Sequence, residues 1–504
     1  MKQLLSVLLA LIMCVSALPA HAEDLLDYTS DFTNDTDGWY PRSTGSAQTE
    51  VKDGALYISG RSVDWNSPGR GFELLPGTVY DISVLVKQDE KASASFMISC
   101  AHTRGGVESY ENLASKAVPQ GEWTRLSCAY TPGEFEAYVL YVETAGAASL
   151  SFGIKEFSVR ERASAYPENL PCLYELYADY FDFGCAVMNI EAINTRRMDF
   201  YASQFNIMTP GNELKPDSVL DVSESKKLSA SDDAAVAVSF DAARPMLDYC
   251  YAHGVKLHGH TLVWHSQTPE AFFHENYDPL KPLVTREVML ARLDNYIRQI
   301  MEYMQENYPG LIVSWDVVNE AVSDNSSALR TSNWTKVVGS DFVNRAFEIA
   351  RRYAPEGTLL FYNDYSTPYE PKLTGICNLL DSLIAEGNID GYGFQAHYQL
   401  TSPTLAEIEK ALVRISAKGL KIRISELDIP VAATGDSVYT MQAGRYRTLM
   451  GLFMKYSGCI IAVHTWGVSD DLSWLTNKHP LLFDGSLQPK EAYWALVELA
   501  GNAA

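Results

Sequence analysis

The segment LIVSWDVVNE (311–320) is an apolar run interrupted only by Ser314 and Asp316, and it closes on Asn319 and Glu320. A strand buried on both faces reads this way, and such strands belong to parallel sheets covered by helices. The same texture recurs at FGCAV (183–187), FNIMT (205–209), KLHGHTLVW (256–264), LLFYNDY (359–365), GYGFQAH (391–397), KIRISELDI (421–429) and IIAVHTWG (460–467). Amphipathic stretches with helical spacing separate these runs, for example REVMLARLDNYIRQIMEYMQENY (286–308). Eight strands, each followed by a helix, predict an α/β fold: a (β/α)8 TIM barrel over residues 171–500.

Upstream the texture changes. Between residues 27 and 160 the runs are short, alternate apolar with polar residues, and break at Gly, Pro or Asp. They are GALYISG (54–60), VYDISVLVK (79–87), ASASFMISC (92–100), TRLSCAY (124–130), AYVLYVE (137–143) and SLSFGIKEFSV (149–159). This pattern predicts an all-β, jelly-roll-like sandwich. A linker is expected at 161–170. At the start, Lys2, the apolar run Leu4–Leu18 and the small-x-small Ala20-His21-Ala22 read as a signal peptide over residues 1–22. The mature chain is expected to be secreted, with no membrane segment.

Of 504 residues, 47% are hydrophobic and 20% charged, which argues against disorder. A net charge of −23 would repel a phosphate backbone, so no nucleic-acid partner is expected. The chain carries 29 Tyr, 19 Phe and 9 Trp, enough to fill a core and also to line a groove for a flat neutral ligand. Apart from Cys14 in the leader the cysteines have no CxxC spacing, and no disulfide framework is expected.

Active sites of such barrels sit where the strands end. Glu320 closes the fourth strand and Glu426 the seventh. Gln395 and His397 close the sixth, His464 and Trp466 the eighth, and the third supplies His260, Trp264, His265 and Gln267. All are expected at one mouth. Two glutamates facing each other there suit glycosidic bond cleavage. One protonates the departing oxygen while the other attacks the sugar carbon, at a separation of about 5–5.5 Å for retention. The proton donor of such a pair needs burial, and the nucleophile needs hydrogen bonds to its charged form. The alternative for either glutamate is a rim ion pair with Lys or Arg.

The motifs TPGNELKPD, GHTLVWHSQTP, WDVVNEAV, NDYS, GFQAHY, ISELDIP and WGVSDDLSWL occur in that order. In this the chain closely resembles glycoside hydrolase family 10, the secreted endo-β-1,4-xylanases. The resemblance implies Glu320 as general acid/base and Glu426 as nucleophile. It implies Asn319 as a ligand of a sugar 2-hydroxyl, Gln395 and His397 around the nucleophile, and Asp428 as the carboxylate orienting His397. His260 and Trp264 resemble the wall of the sugar being cleaved. Asn212, Lys215 and Gln267 resemble contacts to the sugar behind it, Trp466 and Trp474 its indole roof, and Tyr365 an aglycone contact. Two positions depart from the family: Gly211 stands where Glu is common, and His258 where Arg is frequent.

Strings such as DGWYPRSTG (37–45), SGRSVDWNSP (59–68) and LYVETAG (140–146) resemble a family 22 carbohydrate-binding module. That resemblance implies Arg42, Trp65, Tyr110, Tyr141 and Glu143 as xylan-binding residues. Tyr141 and Glu143, two apart on one strand, share a face. The competing reading buries Trp65 and Tyr141 in the sandwich core. The expected partner is xylan or xylo-oligosaccharide, bound by a monomer that needs no cofactor. The histidines lack HExxH spacing, so no metal is expected. Two other readings stay open: a related barrel acting on β-glucan or cellulose, and a non-catalytic glycan-binding protein.

Overall fold

A computed structural model of the chain describes residues 25–42, 47–162, 166–167, 169–432 and 435–502. The leader assigned to residues 1–22 lies outside the described residues, as do residues 163–165 and 168 of the linker. The chain divides into two compact units, Met1–Leu74 with Thr78–Ala163, and Leu75–Gly77 with Ser164–Ala504.

The first unit consists of two antiparallel sheets. One has the strand order Gln48–Lys52, Ala55–Ser59, Phe152–Glu161, Tyr80–Lys87, Thr124–Tyr130, with Asp27–Ser30 also paired to Phe152–Glu161. The other runs Tyr40–Pro41, Pro68–Phe72, Ala137–Ala145, Ser93–Arg104, Val107–Pro119. Alternation sorts the side chains. Tyr138, Leu140 and Val142 enter a core with Trp39, Phe96, Ile98 and Phe157, and Tyr141 and Glu143 point the other way. Strand Val107–Pro119 (VESYENLASKAVP) has no apolar alternation to betray it. It is an edge strand, largely exposed, paired only with Ser93–Arg104.

The second unit is a closed parallel barrel. Its strands are β1 (Asp182–Val187), β2 (Ile207–Pro210), β3 (Lys256–Trp264), β4 (Ile312–Asn319), β5 (Leu359–Asp364), β6 (Gly391–Phe394), β7 (Lys421–Leu427) and β8 (Ile460–Thr465). Each falls on one of the eight runs. Some of the helices between them start at side-chain caps. Thr285 accepts the N–H of Val288 ahead of helix Arg286–Asn307, and Thr404 and Glu407 cap each other's backbone ahead of helix Leu405–Ser416. Trp315 and Trp334 are buried core. All seven cysteines among the described residues are free. No described helix is long and apolar enough to cross a membrane.

Below the mouth, the barrel interior holds a polar layer. Arg423 donates to Ser314 Oγ at 2.9 Å and to His464 Nε2 at 2.8 Å, and His258 Nδ1 lies 2.7 Å from Ser314 Oγ. Burial and the neighbouring Arg423 charge push His258 down to about 4 and His464 well below the usual histidine value. Both rings are therefore neutral and free to accept. His464 thus belongs to this layer and not to the mouth, where its strand-end position had suggested it.

Candidate active site

Glu320 follows β4 directly. Its Oε2 accepts the Trp264 indole N–H at 2.9 Å and its Oε1 accepts Gln395 Nε2 at 2.9 Å. Glu426, near the end of β7, is 5% exposed. Its Oε1 accepts Asn363 Nδ2 at 2.7 Å, and His397 Nε2 lies 3.0 Å from its Oε2. Neither glutamate is paired with Lys or Arg among the described residues, so the rim ion-pair alternative does not hold.

The two carboxyls are joined by a chain of neutral amides. Gln395 Nε2 donates to Glu320 and also to Asn319 Oδ1 at 3.1 Å; Asn363 Nδ2 donates to Glu426 and also to Asn319 Oδ1 at 3.1 Å. Asn319, 2% exposed, is fixed through its oxygen by both donors, which turns its NH2 away from them.

His397 sits between two carboxylates, its Nδ1 2.8 Å from Asp428 Oδ2 and its Nε2 on Glu426. Burial opposes its charge. The Asp428 charge and hydrogen bond, with the Glu426 pair, outweigh burial and raise His397 to about 10. Burial alone would likewise push the Glu426 carboxyl up. The His397 hydrogen bond, the nearby His260 and the Asn363 amide reverse that and hold it below the usual range. Glu426 is thus ionised and oriented, as a nucleophile must be.

Both glutamates open onto a groove of about 680 Å³ that is also lined by Asn212, Lys215, His260, Trp264, Gln267, Asn319, Tyr365, Gln395, His397, Trp466 and Trp474. Lys215 Nζ donates to Asn212 Oδ1 at 2.8 Å and Gln267 Oε1 at 2.9 Å, forming one polar cluster. His260 Nδ1 lies 2.8 Å from Asp316 Oδ2, and its ring meets Trp466 edge-on at 5.3 Å. Trp474 donates to Asp428 Oδ2 at 2.9 Å while staying 54% exposed, which leaves indole surface for a ligand. The Tyr365 hydroxyl bonds Asp324 and accepts from Arg330 at 2.9 Å. Asp428 does not line the groove; it acts on His397 and Trp474.

On the outer face of the first unit, the Arg42 guanidinium lies 3.4 Å over the Tyr141 ring and 6.0 Å from that of Tyr110. Gly69 permits this, since a Cβ there would fall 2.4 Å from Arg42 Cδ. Glu143 Oε1 accepts Ser99 Oγ at 2.6 Å on the same face. Tyr141 is therefore buried beneath Arg42 and is not sandwich core. Trp65 stands 56% exposed, with no ring contact to the other four among the described residues.

Residues 172–499 match Glycosyl hydrolase family 10, and residues 26–149 match a Carbohydrate binding domain. The chain belongs to glycosyl hydrolase family 10. A relative named Endo-1,4-beta-xylanase A, from Thermotoga maritima, is 33% identical over 503 residues, 93% of this chain and 46% of the relative. Exoglucanase XynX from Acetivibrio thermocellus is 30% identical over 500 residues, 93% of this chain and 44% of its own length. This chain therefore spans about half the length of such curated relatives. Among solved structures, the CBM22-1–GH10 modules of a Clostridium thermocellum endo-1,4-β-D-xylanase, complexed with xylohexaose, align with a TM-score of 0.63 and 28% identity. That match covers 94% of this chain and 96% of the other. An intracellular xylanase from Thermoanaerobacterium saccharolyticum, solved with xylotriose, gives 0.59 at 34% identity over 65% of this chain and 99% of that one.

In this family 10 groove several residues escaped the sequence reading. Asn363 lies inside the quoted NDYS motif, yet its bond to the nucleophile candidate emerges only when β5 and β7 are placed in the barrel. Tyr398 closes the GFQAHY motif and lines the groove without having been singled out, while Tyr369, Gln399, Ser402 and Pro403 line it and carry no motif signal. Met188 fills the space beside Gly211, where a Cβ would fall 2.4 Å from its sulfur, and that sulfur accepts Asn212 Nδ2 at 3.2 Å.

Proposed function

We propose that this protein is a secreted, endo-acting, retaining β-1,4-xylanase whose first unit binds xylan. The observation that carries the reading is the hydrogen-bonded chain Glu320–Gln395–Asn319–Asn363–Glu426. It joins two carboxyls across one groove, and one of them is held ionised by a charged imidazole.

A xylan chain enters with one sugar against His260, Trp264 and Trp466, and its neighbour on Lys215, Asn212 and Gln267. Indole faces suit the C–H side of a pyranose, and amides its hydroxyls. The Asn319 NH2 bonds the 2-hydroxyl. Glu426 attacks the anomeric carbon while Glu320 gives its proton to the departing oxygen, so one C–O bond forms as the other breaks. The glycosyl ester on Glu426 carries no negative charge. Glu320, now the anion, takes a proton from water as that water attacks the same carbon, restoring Glu426 and the configuration. Through Asp428, His397 keeps its donor aimed at Glu426 throughout. The family membership and the xylanase names of most relatives support the substrate class; the relative named as an exoglucanase keeps β-glucan in the test.

Reducing-sugar release is to be measured on glucuronoxylan and carboxymethyl cellulose with wild type, Glu426→Gln and Glu320→Ala. Release from xylan alone, abolished in Glu426→Gln, is expected. Release mainly from the cellulose substrate would transfer the reading to β-glucan, and no release by a folded wild type would leave a glycan-binding protein.

A further inference from the structure

Glu320 has φ +57°, a left-handed backbone that residues other than glycine seldom adopt. Such a conformation persists where the surroundings over-determine it. Its own N–H donates to the Asn363 carbonyl at 2.9 Å, and its carbonyl accepts Arg330 Nε at 3.3 Å. The next two amides, Ala321 and Val322, both donate to one side-chain atom, the Tyr362 hydroxyl, at 2.9 and 3.1 Å. That hydroxyl donates its proton to Asp364 Oδ2 at 2.5 Å, so its full capacity of two acceptances and one donation is used. Asp364 Oδ1 is in turn paired with Lys372 Nζ at 2.8 Å and accepts the Tyr365 N–H at 2.9 Å.

Tyr362, Asp364 and Lys372 are 0%, 0% and 1% exposed, and none of them lines the groove. A buried ion pair is a poor source of stability, because apolar residues of similar volume usually do as well or better. What this pair does supply is orientation. It fixes the carboxylate, which fixes the hydroxyl, which holds both amides that follow Glu320 and so the direction in which that side chain leaves the strand.

We propose that Tyr362, oriented by Asp364 and Lys372, is a positioning residue that aims the Glu320 carboxyl at the departing oxygen. The inference rests on the acid/base reading of Glu320. A small misplacement of a proton donor costs rate out of proportion to its size, because proton transfer needs heavy atoms within hydrogen-bond reach.

The test uses the full chain and two substrates, phenyl and dinitrophenyl β-xylobioside. The first needs its leaving oxygen protonated and the second does not. Tyr362→Phe removes one oxygen and keeps the packed ring. The expected result is a fall of about 10- to 100-fold in kcat/KM for the phenyl substrate, with less than about threefold for the dinitrophenyl substrate and KM within about twofold. If Tyr362→Phe does not fold, Asp364→Asn keeps an acceptor for the hydroxyl but not the charge, and should show the same leaving-group dependence at about 3- to 10-fold. Equal losses on both substrates, or none, would overturn the proposal. Glu320→Ala run alongside separates the two claims. If it fails to discriminate the substrates the acid/base reading falls, whereas discrimination by Glu320→Ala without discrimination by Tyr362→Phe removes the positioning role alone.

Discussion

Gly393→Ala should damage the proposed nucleophile, Glu426, without touching it. Gly393 lies in β6 opposite Asn363 of β5, and a Cβ there would fall 2.3 Å from Asn363 Oδ1 and 3.1 Å from its Cγ. The glycine is not in the left-handed region, so the backbone accepts alanine and the whole cost is the collision. Asn363 has little freedom to retreat, because its Oδ1 accepts Ser425 Oγ at 2.7 Å and its Nδ2 serves Glu426 and Asn319. Overpacking of this kind costs about 1–3 kcal/mol. If the amide is displaced, Glu426 also loses a donor, and a hydrogen bond to a charged group is worth about 1.5–3 kcal/mol. Converted to rate, that is roughly a 10- to 150-fold loss in kcat/KM. The dinitrophenyl xylobioside is the substrate of choice because its first step reports on Glu426 alone. Melting should drop by about 2–4 °C per kcal/mol lost. The decisive comparison is a cycle with Asn363→Ala. With that side chain gone, the methyl at 393 has room, so the double variant should differ from Asn363→Ala by less than about 0.5 kcal/mol. A single variant indistinguishable from wild type, or penalties that simply add, would refute the steric argument.

The charged state of His397 makes a prediction about pH. Its value is raised to about 10 from an ordinary 6.5, so its contribution to stability is complete below about 6.5 and lost as pH rises through 10. The melting difference between wild type and His397→Gln should therefore be largest near pH 6 and shrink toward pH 10; a constant difference would mean that the ring acts by packing. On the first unit, Trp65→Ala removes a ring that is 56% exposed. It should leave melting and soluble-xylan hydrolysis unchanged and weaken adsorption to insoluble xylan about fivefold, the equivalent of about 1 kcal/mol of lost stacking. Adsorption equal to wild type would exclude Trp65 from the binding face and leave it to Arg42, Tyr110, Tyr141 and Glu143.

The barrel was legible because strands covered on both faces must be apolar almost throughout, and eight such runs left little choice of architecture. The sandwich was only partly legible. Its central strands alternate, but Val107–Pro119 has solvent on most of its length and reads as a polar loop. Pro68–Phe72 hides as well, because two of its five residues are glycines, one of which makes way for Arg42. Within the site, the rule that strand ends carry function found both glutamates and misplaced His464. His464 and Trp466 both follow the eighth apolar run, but two residues along a strand are about 6.6 Å of height in the barrel. That step separates a ring lining the groove from one bonded to Arg423 in the layer below. His258 and His260 repeat the relation on β3, one reaching Ser314 and the other the groove. Sequence shows which residues end a strand but not how deep the barrel is at that strand.

The connection between the two glutamates has a physical logic that no motif contains. A cation placed between them would fix their spacing but would also favour the ionised form of both, whereas the proposed cycle starts with the two in opposite protonation states. Gln395 and Asn363 are neutral, and each has two N–H groups. One N–H from each reaches a carboxyl, and both residues also bond the single Asn319 oxygen. Spacing is thereby set without a formal charge in the chain, and the one ionisable group hydrogen-bonded to either carboxyl among the described residues is His397 at Glu426. Because both amides use the same oxygen, a displacement of either carboxyl is transmitted to Asn319, whose NH2 is the group left to meet the sugar. Substrate binding and the separation of the two glutamates are thus properties of one network. This is why Gly393, a residue with no side chain at all, is as much a part of the active site as the carboxyls it helps to hold.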